Sequence, residues 1–208
     1  MLSEKVLLTA ASDGLYQIKV NSCGKFDLSL IADFKQTIFS VHQSTKNPNQ
    51  VFVGTLEGVA SVSYQDGKWT QSAKVCIATD AIRNMLTDKQ YLWLGSRHSG
   101  VYKASVDSET GNIKIIQHYG IKEGLPAEHF VEVNYLSNKF MVSTPKGMVQ
   151  YNWETDRFEP SDIFGNRFSN SHMGVLHTAE DTKGNQWIHA VDENSSLEWI
   201  EMKIQHPN

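Results

Sequence analysis

Short apolar runs alternate along the chain with clusters of Gly, Asn, Asp and Ser, and the alternation recurs at a near-constant interval. In each unit an apolar strand ends in small residues, a short polar turn follows, and a Gly with an apolar neighbour opens a second strand. Residues 6–9 lead to Gly14-Leu15-Tyr16, residues 51–55 to Gly58-Val59, residues 92–96 to Gly100-Val101-Tyr102 and residues 140–144 to Gly147-Met148-Val149. A degenerate fifth copy runs from Trp187 to Ser196-Leu197. The turn positions Gly14, Gly58, Gly100, Gly147 and Ser196 lie 44, 42, 47 and 49 residues apart. That is far more than a hairpin needs and close to the period of a four-stranded propeller blade.

Two further strands complete the unit. One precedes the pair, at residues 38–41, 82–86, 130–133 and 175–178; the other follows it, at 25–28, 68–71, 112–115 and around Phe158. Turn chemistry separates them, as in Asn47-Pro48-Asn49, Asp66-Gly67, Thr110-Gly111-Asn112 and Lys183-Gly184-Asn185. With the strands of a unit named A to D, the chain reads BCD, ABCD, ABCD, ABCD, ABC. This gives 18 strands, in repeats near 5–33, 34–78, 79–118, 119–165 and 166–206. No stretch keeps helical spacing of apolar residues over three turns, and the strands lie too close together for crossover helices. The expectation is an all-β fold, a β-propeller with about five visible blades and partial blades at both ends, filling 1–208 as a single domain. The strand count fits an arc of a larger propeller, or a small ring with two thin blades at its seam. An open arc leaves bare strand edges and bare apolar blade faces.

Two segments carry a family resemblance. Residues 120–151 hold Gly124-Leu125-Pro126, a strand, a turn, and then Ser143-Thr144 leading to Gly147. Residues 175–190 hold Asp181-Thr182-Lys183-Gly184-Asn185 followed by Trp187. Together they resemble the two-component regulator propeller repeat, whose consensus is a Gly-Leu-Pro, a strand, an Asp-x-x-Gly-Asn turn, a Trp-containing strand ending in Gly-Thr, and a Gly-Leu. The strand ends Val53-Gly54-Thr55 and Leu94-Gly95-Ser96 keep part of the pattern. The resemblance implies the extracytoplasmic input module of a bacterial signalling protein. Such a module binds a saccharide or related ligand and passes a conformational change to a kinase, cyclase or transcription-factor domain.

The repeated residues have architectural roles to fill. Trp93 and Trp187 sit in strand B, where an indole packs between blades. Gly14, Gly58, Gly100 and Gly147 are expected to supply positive φ in the B–C turn, and Pro126 to fix the chain entering strand A. Recognition then falls to what does not repeat. The D–A and B–C connections share one face, the usual ligand mouth. They carry Arg83, Arg97, His98, His129, Lys146, Arg167 and His172 as candidate binding residues, together with Asp80, His118, Glu123 and Glu128. Mixed charge on this rim suits a polar neutral or mildly charged ligand better than a polyanion. Trp69, Trp153 and Trp199 lie outside the B-strand slot and are candidates for stacking on a sugar.

Other chemistries find little in the chain. There is no His-x-x-x-His, no Cys-x-x-Cys and no Gly-x-Ser-x-Gly, so neither a metal, another cofactor nor a serine nucleophile is expected. A net charge of −4 argues against a nucleic-acid binder that neutralises phosphates. No apolar run approaches the ~20 residues of a membrane span, and the first residues lack the features of an export signal. Cytoplasmic residence therefore stays open beside the periplasmic one. Cys23 and Cys76 are too few for a disulfide framework. The reading is a non-catalytic ligand sensor. A protein-interaction platform is the alternative, with a propeller glycosidase or lyase behind it; the partners are a small polar ligand, another protein or the remaining blades of a parent chain.

Overall fold

A computed structural model of the protein describes residues 6–72, 74–77, 80–169, 173–192 and 197–202. They form five sheets in chain order. Sheet one holds β1 (Val6–Ala10), β2 (Gly14–Val20) and β3 (Phe26–Asp33). Sheet two holds β4 (Ile38–Gln43), β5 (Gln50–Thr55), β6 (Gly58–Gln65) and β7 (Lys68–Gln71), with the two-residue β8 (Val75–Cys76) also paired to β6. Sheet three holds β9 (Ile82–Asp88), β10 (Tyr91–Ser96), β11 (Val101–Val106) and β12 (Ile113–Tyr119). Sheet four holds β13 (Glu132–Leu136), β14 (Lys139–Thr144), β15 (Gly147–Asn152) and β16 (Arg157–Pro160). Sheet five holds β17 (Met173–Glu180), β18 (Gln186–Asp192) and β19 (Leu197–Met202). Among the described residues the only helical pieces are a 3-10 turn at Ile121–Glu123 and the four-residue α1 (Asn166–Ser169).

The strand pattern of three, four, four, four and three is the one the repeats predict, with β8 added. Within each sheet neighbours in sequence are neighbours in space, because a turn of a few residues can only return the chain beside itself. The chain divides into two compact units, Met1–Leu92 with Ala104–Ile116, and Trp93–Lys103 with Gln117–Asn208. The division runs through sheet three.

Each unit is held by sheet faces in contact. In the first, Leu15 and Ala32 of sheet one pack with Val51, Val53, Ala60 and Val62 of sheet two, with Leu8 and Trp69 at the margin. Period-two alternation sends Phe52 to the opposite face of β5, where it is also buried. In the second, Met141 and Met148 of sheet four pack with Val175, Ile188 and Ala190 of sheet five. Trp93, fully buried, has its ring 4.5 Å from Phe140 and 4.9 Å from Tyr151 of sheet four.

Three architectural expectations need correction. Trp187 is 36% exposed rather than enclosed. Its neighbours Ile188 and Ala190 face sheet four, so alternation turns Trp187 outward. Gly58, Gly100 and Gly147 have φ of 140°, 76° and 113°, but Gly14 is not among the positive-φ glycines. Its need is space instead, since a Cβ there would stand 2.5 Å from the Ala32 carbonyl oxygen. Pro126 does not fix the entry to strand A, which begins only at Glu132. It lies between the buried Leu125 and Ala127, which anchor the loop ahead of the strand.

Candidate functional site

The loop from Gly120 to Val131 is built by its own side chains and backbone. The Gly120 amide donates to Glu123 Oε2 at 2.8 Å, and the Ile121 amide to Glu128 Oε1 at 2.8 Å. Glu123 and Glu128, two of the three carboxylates named as rim candidates, are therefore engaged by the loop that carries them. Further along, the loop is stitched to the B–C turn of sheet three. Gly100 N–H donates to Glu128 C=O (2.7 Å), Phe130 N–H to Arg97 C=O (2.8 Å) and Val131 N–H to Ser96 C=O (3.1 Å).

This stitching holds Phe130 at φ 50°, an uncommon conformation for an aromatic residue, with its side chain 44% exposed. Three predicted site residues surround that ring. The Arg97 guanidinium lies 5.7 Å from its centroid, His129 at 6.0 Å and His98 at 6.4 Å. Arg97 Nε is buried without a hydrogen-bond partner. The result is a fixed aromatic platform bordered by one permanent cation and two imidazoles. It can stack on a flat apolar face and donate hydrogen bonds to oxygen acceptors or a negative group around it. Phe130 itself escaped sequence reasoning, which took it as the first residue of a strand.

The other candidates fall elsewhere. Lys146 is exposed on the B–C turn of sheet four, and Arg167 is exposed on α1 beside it; a Cβ on Gly147 would stand 2.3 Å from the Phe168 carbonyl oxygen. Arg83 is an exposed strand residue of β9 in the first unit, not a loop residue. Asp80 is buried rather than presented to solvent. His172 lies outside the described residues. His118 engages the Ser99 carbonyl through Nε2. Trp69 is used internally, donating from Nε1 to Gln17 Oε1 at 3.0 Å.

A second polar cluster in the same unit is spent on structure. Lys103 Nζ lies 3.1 Å from Tyr151 Oη and 3.4 Å from Asp156 Oδ1, and Tyr119 Oη donates to the same carboxylate at 2.7 Å. Tyr151 also donates to Asp156. The ammonium sits 5.2 Å over Trp93, 5.4 Å over Tyr151 and 5.5 Å over Trp153. Burial pulls the Lys103 pKa down, but the hydrogen bonds to Tyr151 and Asp156 and the Asp156 charge outweigh it, and the net shift is upward. Burial, with the neighbouring Tyr151 and Asp156, drives the Tyr119 phenol well above its ordinary range. Trp153 is thus part of a lysine clasp.

In the first unit, Asn47, Gln50, Phe52, Thr87, Gln90 and Tyr91 border a recess of about 60 Å³. Ligand pockets run to roughly 300–1,000 Å³. The recess is far too small for a sugar ring, and it belongs to the A–B turns, away from the predicted mouth. Among the described residues no group of three His, Cys, Asp or Glu stands close enough to hold a metal ion.

Comparison with known proteins settles the architecture. No protein-family model matches the sequence, and no curated protein matches it. Solved structures do. The extracellular domain described as that of a hybrid two-component system of B. thetaiotaomicron superposes with a TM-score of 0.62 at 14% identity, covering 98% of this chain and 28% of that one. Chaetomium thermophilum Sqt1 bound to the N-terminus of the ribosomal protein L10 gives 0.63 at 14%, covering 96% and 56%. Pseudomonas aeruginosa periplasmic gluconolactonase gives 0.59 at 13%, covering 97% and 68%. The fold is that of a β-propeller. At these identities the likeness is one of fold. The propeller segment seen here spans about a quarter of the length of the sensor ectodomains it matches.

Proposed function

We propose that this propeller is a non-catalytic ligand-sensing module of a bacterial signalling protein, acting outside the cytoplasm. Its ligand is a saccharide or related small polar molecule, neutral or mildly acidic, bound over Phe130. The observation that carries the reading is the platform itself: an exposed aromatic ring held at positive φ and bordered by Arg97, His98 and His129. A pyranose presents an apolar face to such a ring and hydroxyls, or a carboxylate, to the groups around it. The fold shared with the sensor ectodomains supports the same reading. Glu123 Oε2 and Glu128 Oε1 accept from loop amides, which gives both carboxylates a part in shaping the loop beneath the platform.

The test is a thermal-shift and calorimetric screen of neutral and acidic mono- and oligosaccharides. A binder raises the melting temperature in proportion to the logarithm of its concentration over its dissociation constant. Phe130→Ala and Arg97→Ala should each abolish that shift while leaving the unliganded melt in place. If no saccharide shifts the melt and the protein instead captures a protein partner through the same residues, the sensor reading fails and the interaction platform replaces it. Turnover of a saccharide lost on His129→Ala would replace it with an enzyme.

A further inference from the structure

The bare faces of sheets one and five form a matched pair. Between sheets three and four the contact is a knob in a socket. The knob is Trp93 of β10. The socket is the row Phe140, Tyr151 and Phe158 across β14, β15 and β16, whose rings lie 4.5, 4.9 and 6.5 Å from the indole. Sheet five repeats the knob. Trp187 occupies the position in β18 that Trp93 occupies in β10, three residues before the end of the repeated strand motif. Its neighbours Ile188 and Ala190 bury against sheet four, so it projects from the opposite face. There it is joined by His189 and Trp199, stacked at 4.6 Å and 8°, with Trp199 62% exposed. The Asp181 turn leads into the knob strand, its carboxylate accepting from the Asn185 side chain at 2.8 Å and from the Lys183 and Asn185 amides at 2.8 and 2.9 Å.

Sheet one repeats the socket. Leu7, Ile18 and Leu28 pair across β1, β2 and β3 in one row. Leu7 precedes Leu8, which packs toward sheet two, as Phe140 precedes Met141, which packs toward sheet five. The row therefore lies on the face turned away from sheet two, where Leu28 is 63% exposed and Phe26 and Leu30 on the same strand extend the apolar area. Contiguous exposed apolar surface of this kind marks an association site.

We propose that a second copy of this chain covers these faces, the Trp187 knob of one copy seating on the Leu7–Ile18–Leu28 row of the next. One molecule carries both complementary halves, and the contact is continuous in kind with the sheet-on-sheet packing already present within the chain. Such a contact is heterologous: it joins different surfaces, and it closes into a ring or extends as a series according to the rotation between copies.

The test uses the full chain in light scattering after gel filtration and in sedimentation velocity, from about 1 to about 100 μM. Wild type should assemble into a dimer or longer species. Leu28→Glu and Trp187→Glu should each be monomeric, with unchanged far-ultraviolet circular dichroism showing that the exposed substitutions leave the fold intact. Mixing the two variants should restore a one-to-one dimer, because one retains an intact knob and the other an intact socket. A monomeric wild type across the range overturns the proposal. So does assembly that survives either substitution, or a mixture that stays monomeric at a concentration where wild type is fully assembled.

Discussion

Trp93→Ala isolates the contact on which the second unit rests. The side chain is fully buried, against Phe140, Tyr151, Tyr119 and Phe158, with Lys103 over its face. Its indole N–H has no hydrogen-bond partner, so truncation removes packing and strands no acceptor. An aromatic side chain of this kind buries roughly 150–250 Å², worth about 4–6 kcal/mol at ~25 cal/mol per Å² as an upper bound. Measured Trp truncations cost ~3–5 kcal/mol. We expect a loss in that range, a large share of the ~5–15 kcal/mol that holds an ordinary domain. The assay is urea unfolding followed by far-ultraviolet circular dichroism, with equal slopes in both proteins so that midpoints compare directly. Trp187→Ala is the internal control. It occupies the same strand position with one face bare, and in dilute monomer it should cost less than about 1.5 kcal/mol. A Trp93→Ala loss below ~1 kcal/mol, or a Trp187→Ala loss that equals it, refutes the knob-and-socket account.

Gly147→Ala should destabilise by more than ~1 kcal/mol, because φ is 113° and a Cβ would meet the Phe168 carbonyl oxygen at 2.3 Å, whereas the neighbouring Lys146→Ala should stay within ~0.5 kcal/mol; paired urea midpoints decide it. His42 accepts hydrogen bonds at Nε2 from the Thr87 amide and hydroxyl, and burial lowers its pKa. The unfolded chain takes up that proton first, so stability present above about pH 6.5 is lost as pH falls, and His42→Gln should flatten the decline between pH 7.5 and 5 relative to wild type. Cys23 and Cys76 are both exposed free thiols, so the native protein should react with two equivalents of a thiol reagent, and reductant should leave its melting temperature unchanged.

The fold was legible because its signal is redundant. Four or five copies of one pattern, each with its own turn residues, let weak strand signals average, and the count of strands per sheet followed. Single positions were less legible where one residue type answers two needs. Gly14 and Gly58 look alike in sequence, yet one avoids a clash with Ala32 while the other adopts positive φ as well. Trp93 and Trp187 share a strand position, and only the sheet that lies against one of them makes it core. Burial between sheets is a property of two segments, and a pattern read along one segment cannot report it.

The rim was legible in part for a related reason. Topology alone predicts that the B–C turn of sheet three and the loop after β12 lie together, and this brings Arg97, His98 and His129 onto common ground. What gathers them is Phe130, whose backbone leaves the strand conformation two residues before β13 begins because its amide and that of Val131 bond to Arg97 and Ser96. Those bonds join residues more than 30 positions apart, so no local pattern encodes them. The same non-local bonding explains the polar residues that did not become site residues. Glu123, Glu128 and His118 have the composition of a binding rim, but backbone groups already engage them. A rim residue in a repeat protein is available to a ligand only after its own loop has been satisfied, and at Phe130 the backbone bonds to Arg97 and Ser96 hold the chain while the side chain stays 44% exposed.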